Sequence, residues 1–345
     1  MDIVSEKDSV EVSEAGTKRS HHRAVAEALF VTVLWASSWV IIKFGLEDIR
    51  PLTFAGLRYT VAAVILVGAI AWKKEHREFT KNQNKSWWLT MALYGVVFVA
   101  VTQGAQFIGL DLLPAITVSM LLNLTPIIVL VLGILTLREV PTRLQTLLVF
   151  LVVIGAMVYF YPIDLDFTEI VGLSVVLIGV LSNALSSIIG RAINRQRASP
   201  PLVVTGVSMA IGASILMVTG VLFEGLITLT PISMVYVLWL SIVNTAFAFI
   251  LWNRTMQVLR AVDISVINST MLPQIVVLSI VFLGEMPDLI DWIGLIVLAL
   301  SVAAIQVLQA RRTMAVDEVK GEGTQLITPE FPDKIQDKRR LEKDN

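Results

Sequence analysis

The sequence predicts an all-α integral membrane protein with ten transmembrane helices, arranged as two inverted five-helix repeats. Three observations predict it: the composition, the recurrence of long charge-free runs, and a duplication whose copies each hold an odd number of helices. Of 345 residues, 55% are hydrophobic and only 16% are charged, where soluble domains carry about 25% charge. So few charges cannot clothe a water-exposed surface while so many apolar side chains are hidden. The formal net charge of −1 gives no long-range attraction to nucleic acid, so no such partner is expected. With no cysteine and three histidines, all in charged flanks (His21, His22 and His76), neither a metal centre nor another cofactor is expected.

From Trp87 to Leu137 the single Asp, Glu, Lys, Arg or His is Asp111, which divides two apolar stretches. Each stretch is about 20 residues, the length a helix needs to cross roughly 30 Å of hydrocarbon. Repeating this reading gives spans at about 25–44, 53–72, 87–107, 114–137, 142–161, 170–191, 201–223, 232–252, 260–283 and 288–309. The runs are too long and too continuously apolar for barrel strands, which alternate over about 10 residues. The ends differ in kind. Residues 1–24 are mostly polar, and the 310–345 end is rich in charge with few large hydrophobes, so both are expected to be disordered tails.

Lys and Arg set the direction. With the N-terminus inside, the inner segments carry Arg19, Arg23, Lys73, Lys74, Arg77, Arg138, Arg143, Arg195, Arg254, Arg311 and Arg312, among others. The outer connections carry Arg50 and otherwise acids, including Glu47, Asp48, Asp111, Asp166, Glu169, Glu224 and Asp288. This is the positive-inside bias, and it puts both termini in the cytoplasm of a multi-pass protein of the cell membrane. Ala36-Ser37-Ser38 offers small residues for signal cleavage, but the run is too long for a signal core and a polar segment precedes it.

The chain then repeats at a spacing of about 146 residues. Leu124-Thr125-Pro126-Ile127 opens a stretch closing on Glu139-Val140-Pro141, and Met271-Leu272-Pro273-Gln274 opens one closing on Glu285-Met286-Pro287. The copies fall between spans four and five and between spans nine and ten, which divides the chain into 25–161 and 162–309. Five is odd, so the second copy enters the membrane from the opposite side. Inverted repeats of this kind underlie many secondary transporters, where the solute site lies at their interface.

Trp35-Ala36-Ser37-Ser38-Trp39-Val40-Ile41-Ile42-Lys43, followed by Pro51-Leu52-Thr53-Phe54-Ala55-Gly56-Leu57-Arg58-Tyr59, resembles the opening of EamA-type members of the drug/metabolite transporter superfamily. The stretches 126–139 and 273–285 resemble the close of each EamA repeat, and Leu251-Trp252-Asn253-Arg254 through Ala261 resembles the link before the ninth span. The resemblance covers about residues 25–308. It departs at Leu148, where the second copy has Gly294, and at Ser301, where the first has Gly155. It implies ten helices, cytoplasmic termini and a central path for a small solute.

Candidate solute ligands are the polar groups inside spans, where charge is costly and usually functional. Lys43 and Arg58 are cations in the outer parts of their helices, positioned either to snorkel to headgroups or to hold an anionic solute. Trp35 and Trp39 share one face of the first helix with Ser38 near it. Gln103, Gln106, Asn123, Asn183, Asn244 (beside Thr245), Asn268 and Gln274 complete the set, and each amide is equally suited to interhelical hydrogen bonding. Pro126 and Pro273 fall mid-span. Each frees a carbonyl, Leu122 or Ser269, either to bind solute or as part of a hinge. Glu139 and Glu285, before prolines at span ends, are read as caps that favour the positive end of the next helix.

No Asp or Glu lies near the middle of any span, which tilts the path away from cationic drugs and toward neutral, zwitterionic or anionic solutes. No phosphate-binding Gly-x-x-x-x-Gly-Lys-Ser/Thr motif is present. The reading is a secondary transporter that exports an amino acid or related small metabolite, with protons or another coupling ion as the drive. A channel or transport-dead sensor on the same fold is the alternative. A membrane-embedded enzyme would need convergent nucleophiles or paired acids within the spans.

Overall fold

The computed structural model describes the backbone over residues 3–325 except 138–141, 162–164, 196–198, 226–227, 257 and 260. Side chains are described over the same residues apart from 3–20, 133–137, 191, 194–195, 253, 261–262, 310 and 312–325. Among the described residues the chain is helical, with no strand. The helices are α1 (Ile3–Leu46), α2 (Pro51–Trp72), α3 (Lys74–Lys81), α4 (Lys85–Gly95), α5 (Thr102–Leu112), α6 (Ala115–Leu122), α7 (Thr125–Leu137) and α8 (Arg143–Tyr159). They continue as α9 (Phe167–Arg195), α10 (Pro201–Glu224), α11 (Pro231–Ser241), α12 (Ala248–Thr255), α13 (Ala261–Ser269), α14 (Met271–Leu283) and α15 (Leu289–Gln325). The expected tails, 1–24 and 310–345, lie largely outside the residues whose side chains are described.

Nine stretches among the described residues are long and apolar enough to cross a membrane. The stretch predicted at 142–161 forms α8, which is apolar but only 17 residues long. At 1.5 Å per residue it reaches about 25 Å, short of a full hydrocarbon thickness. Large apolar side chains face outward all round the molecule: Leu89, Val64, Leu222, Phe223 and Leu300 are each more than 60% exposed. That surface suits lipid and would aggregate in water.

Two of the long stretches contain a π-helical turn. Val96–Val101 joins α4 to α5, and Ile242–Phe247 joins α11 to α12. The widened turns disturb the regular ladder, and hydroxyls take up carbonyls there. Val97 O accepts from Thr102 Oγ1 and Ser182 Oγ, both at 2.8 Å, and Leu240 O accepts from Thr245 Oγ1 at 2.8 Å. The two turns stand at the same place in the two sequence copies.

Two further stretches are broken where the prolines predict. α6 stops at Leu122, and α7 resumes at Thr125 after a turn at Asn123 and Leu124. α13 stops at Ser269, and α14 resumes at Met271 after Thr270. Pro126 and Pro273 thereby fall in the first turn of a new helix, where a missing N–H is no loss. The Leu122 carbonyl is not wholly freed, because the Thr125 hydroxyl donates to it at 2.6 Å and uses one of its two acceptor positions.

The helices sort into two bundles and two pairs. α1 packs against α11, α12, α13 and α14, while α9 packs against α4, α5, α6 and α7. α2 pairs with α10 along its length, and α8 pairs with α15. Each group mixes helices from both sequence copies. We call distal the end that carries the α1–α2, α5–α6, α10–α11 and α14–α15 connections. At that end the bundles touch: α6 lies on α14, and α5 on α1. Toward the proximal end, α4 and α7 show no comparable packing on α12 or α13 among the described residues.

The α8–α15 pair explains the departure at Leu148 and Ser301. Gly155 and Gly294 face one another, one from each helix. A Cβ on Gly294 would sit 2.7 Å from both Gly155 O and Tyr159 N, and one on Gly155 would sit 3.0 Å from Gly294 O. Within a bilayer, such close approach of backbones is a main source of helix association. Gly294→Ala is expected to cost about 1–3 kcal/mol by overpacking, read as a lower Tm in detergent. Gly68→Ala, with nothing within 4 Å of the added Cβ, should leave Tm unchanged or raise it slightly through better helix propensity, and serves as the control.

Candidate solute site

Arg58 lies on α2 and is only 5% exposed. It does not snorkel to the surface. Its guanidinium carbon lies 5.2 Å from the Tyr59 ring centroid and 5.9 Å from that of Phe107 on α5, close enough for attraction to the rings. Nε donates to Thr245 Oγ1 at 3.0 Å. That hydroxyl donates in turn to Leu240 O, so its donor and one acceptor position are both used. No carboxylate pairs with Arg58 among the described residues, and its two terminal amino groups have no acceptor there. A buried charge without a counter-ion is costly. Here the aromatic faces and one hydroxyl offset only part of that cost.

The surroundings of Arg58 draw on both sequence copies. Tyr59 Oη donates to Gln103 Oε1 at 2.6 Å, which ties α2 to α5. Thr245 belongs to the π-helical turn before α12, so Arg58 bridges toward both bundles. Gln106, one turn from Gln103 on α5, is half-buried and has no hydrogen bond among the described residues. Tyr59 and Phe107 were not legible as site residues. Only their spacing, beside Arg58 and four residues after Gln103, hints at them.

Lys43 sits elsewhere, at the distal end. Its ammonium donates to Leu113 O at 2.8 Å and borders a cavity of about 400 Å³ shared with Phe44, Glu47, Asp111, Phe282 and Glu285. Lys43 and Arg58 therefore do not form one cationic cluster. Glu285 is a cap, but not of the helix that follows it. Its carboxylate accepts from the backbone N–H groups of Ala115 at 2.7 Å and Ile116 at 2.9 Å, at the start of α6. The N-terminus of α15 is instead closed by Asp288, which accepts from Asp291 N at 2.8 Å. The cause is Gly284, whose φ of +68° turns the chain back at the end of α14. Glu139 lies outside the described residues.

Several other candidates are engaged in holding helices together. Asn244, fully buried, donates to Leu34 O and to Ser37 Oγ, joining the second π-helical turn to α1. Gln274 donates to Thr32 Oγ1 at 3.2 Å and to Thr270 Oγ1 at 3.1 Å. Asn183 donates to Thr125 Oγ1 at 3.1 Å, and Asn123 to Ser119 O at 2.8 Å within α6. Ser38 donates to the carbonyl of Trp35 in its own helix. Trp35 stacks toward Phe249 and Trp252 of α12, with centroids 5.6 and 5.0 Å away, and Trp39 is buried in the core. Asn268 is half-buried without a hydrogen bond among the described residues. The carbonyl oxygens of the Asn244 and Gln274 side chains are buried without a partner.

The EamA-like transporter family model matches this chain twice, over residues 23–161 and 170–307. The chain belongs to the EamA-like transporter family. An uncharacterized transporter of Archaeoglobus fulgidus is 23% identical over 267 residues, which cover 76% of this chain and 90% of that protein. The uncharacterized transporter YoaV of Bacillus subtilis is 24% identical over 236 residues, covering 67% of this chain and 78% of YoaV. A crystal structure of another protein superimposes with a TM-score of 0.60 at 17% identity, covering 85% of this chain and 99% of that one. That likeness speaks for the fold alone. The EamA membership and the apolar helices make this a multi-pass membrane transporter of a small-molecule solute rather than an enzyme.

Proposed function

We propose that this EamA transporter is a secondary carrier that moves a small solute bearing a carboxylate or other anionic group, by alternating access between the α1 and α9 bundles. The observation that carries this reading is the buried Arg58 guanidinium, without a carboxylate partner among the described residues, reaching toward both bundles. A solute anion is the natural counter-ion for it, and guanidinium binds carboxylate with two parallel hydrogen bonds. In this reading α8 is the tenth span, the two sequence copies are inverted repeats, and the grouping of helices from both copies supports an exchange of roles between bundles. Amino acids and related small organic acids carry the charge that this guanidinium would pair, and export is the direction proposed.

A thermal-shift panel tests the solute class. Amino acids and organic acids should raise Tm, and their amides and esters should not. A permanent cation as the strongest stabiliser would overturn the anionic reading. The charge bias supports an orientation with both termini cytoplasmic, and the cell membrane is the location proposed. Reporter fusions after Asn345 and within the 162–169 connection should then respond oppositely. A C-terminal reporter on the outer side would remove the ten-span, inverted-repeat reading.

A further inference from the structure

We propose that Glu285 and Lys43 form a polar latch that holds the distal mouth of this carrier closed. The inference rests on the two-bundle reading above. Both residues belong to the α1 bundle, Lys43 on α1 itself and Glu285 just beyond α14. Both are bonded to backbone of the α9 bundle. Lys43 Nζ donates to the carbonyl of Leu113, which follows α5, and Glu285 accepts from Ala115 N and Ile116 N, which begin α6.

The chemistry on each side is complementary. Leu113–Pro114 is the short turn between α5 and α6, and the groups on its two sides have opposite polarity. Leu113, the extended residue just after α5, offers a backbone carbonyl, and the start of α6 offers unpaired N–H groups with excess positive charge. Pro114, ahead of α6, supplies no side-chain cap. The α1 bundle brings an ammonium to the first and a carboxylate to the second. Each is a charge-assisted bond to backbone, so it depends on position more than on the neighbouring side chains.

The packing points the same way. The bundles touch at the distal end, with α6 on α14, and show no comparable packing toward the proximal end among the described residues. Separating them distally strips α6 of its cap and leaves both Glu285 and the Lys43 ammonium without these partners. The cost falls on opening the distal mouth alone, so the latch biases the carrier toward the distally closed state. Gly284, at φ +68°, is what places the carboxylate under α6.

The chain has no cysteine, so a spin-label pair can be introduced cleanly at Phe167 and Met286, which are 81% and 75% exposed and lie on opposite bundles. Pulsed dipolar EPR of the F167C/M286C protein in nanodiscs should give mainly one short distance. Adding E285Q with K43M should raise a longer-distance population at least fivefold, K43M alone should raise it partially, and K43R, which keeps a donor, should match the parent. Should the double variant fail to run as a monodisperse species, K43M against K43R decides. An unchanged distance distribution in folded latch variants that still transport would overturn the latch and leave the carrier reading intact. One fixed distance in every variant, and in the parent with a transported solute, would overturn both.

Discussion

Arg58→Gln is expected to weaken binding of a carboxylated solute by roughly ten- to a hundred-fold while binding of its amide or ester analogue changes little. The size follows from a charge-assisted hydrogen bond, worth about 1.5–3 kcal/mol. Glutamine keeps a polar side chain near Thr245 but removes the charge and the two-pronged donor. Arg58→Lys keeps a charge as a compact point on a flexible stem, and at a site 5% exposed it should recover only part of the affinity. The measurement is titration of both ligands against each variant in nanodiscs at fixed pH, with monodispersity checked first. Equal losses for acid and ester would make Arg58 a packing residue of the α2–α5 contact.

The second large effect is expected at the broken helices. Pro126→Ala with Pro273→Ala supplies two backbone N–H groups and allows each helix to close its ladder across the break. A restored hydrogen bond is worth about 0.5–1.5 kcal/mol. Two of them should slow a transition that bends at both breaks by about fivefold or more, with expression and Tm kept or improved. Pro273→Ala should contribute more. The Leu122 carbonyl already accepts a side-chain hydrogen bond from Thr125, and the Ser269 carbonyl has no such side-chain donor among the described residues. Solute flux into proteoliposomes measures this directly, and normal flux in the double variant would leave the breaks as packing features.

Much of the architecture was legible because a bilayer imposes long apolar runs and excludes charge. The broken helices were legible too, since proline mid-span leaves few alternatives. The two π-helical turns were not, because Val96–Val101 and Ile242–Phe247 look like any other apolar helix apart from Asn244 and Thr245. α8 reads as a full span from composition, yet its regular part stops at Tyr159, after 17 residues.

For the candidate site, the sequence pointed to Arg58 but not to its environment. Arg58 looked equally suited to snorkelling until Tyr59, Phe107 and Thr245 were seen around it, and the last two are far away in sequence. The same limit applies to Glu285. An acid before a proline reads as a local cap, but Gly284 turns it onto Ala115 and Ile116, about 170 residues away. Amides were ambiguous for a related reason. Asn244, Gln274 and Asn183 have chemistry suited to a solute, and their hydrogen bonds go to neighbouring helices instead.

Counterflow tests the central claim most directly. Proteoliposomes holding the transporter are preloaded with an unlabelled amino or organic acid drawn from the thermal-shift panel, then diluted into a trace of the same labelled acid. A carrier with one alternating anionic site predicts a transient overshoot of label that saturates with the internal acid, is absent when the liposomes are loaded with its ester, and is lost with Arg58→Gln. Label that merely equilibrates, at a rate proportional to concentration and indifferent to preloading or to Arg58, would contradict it.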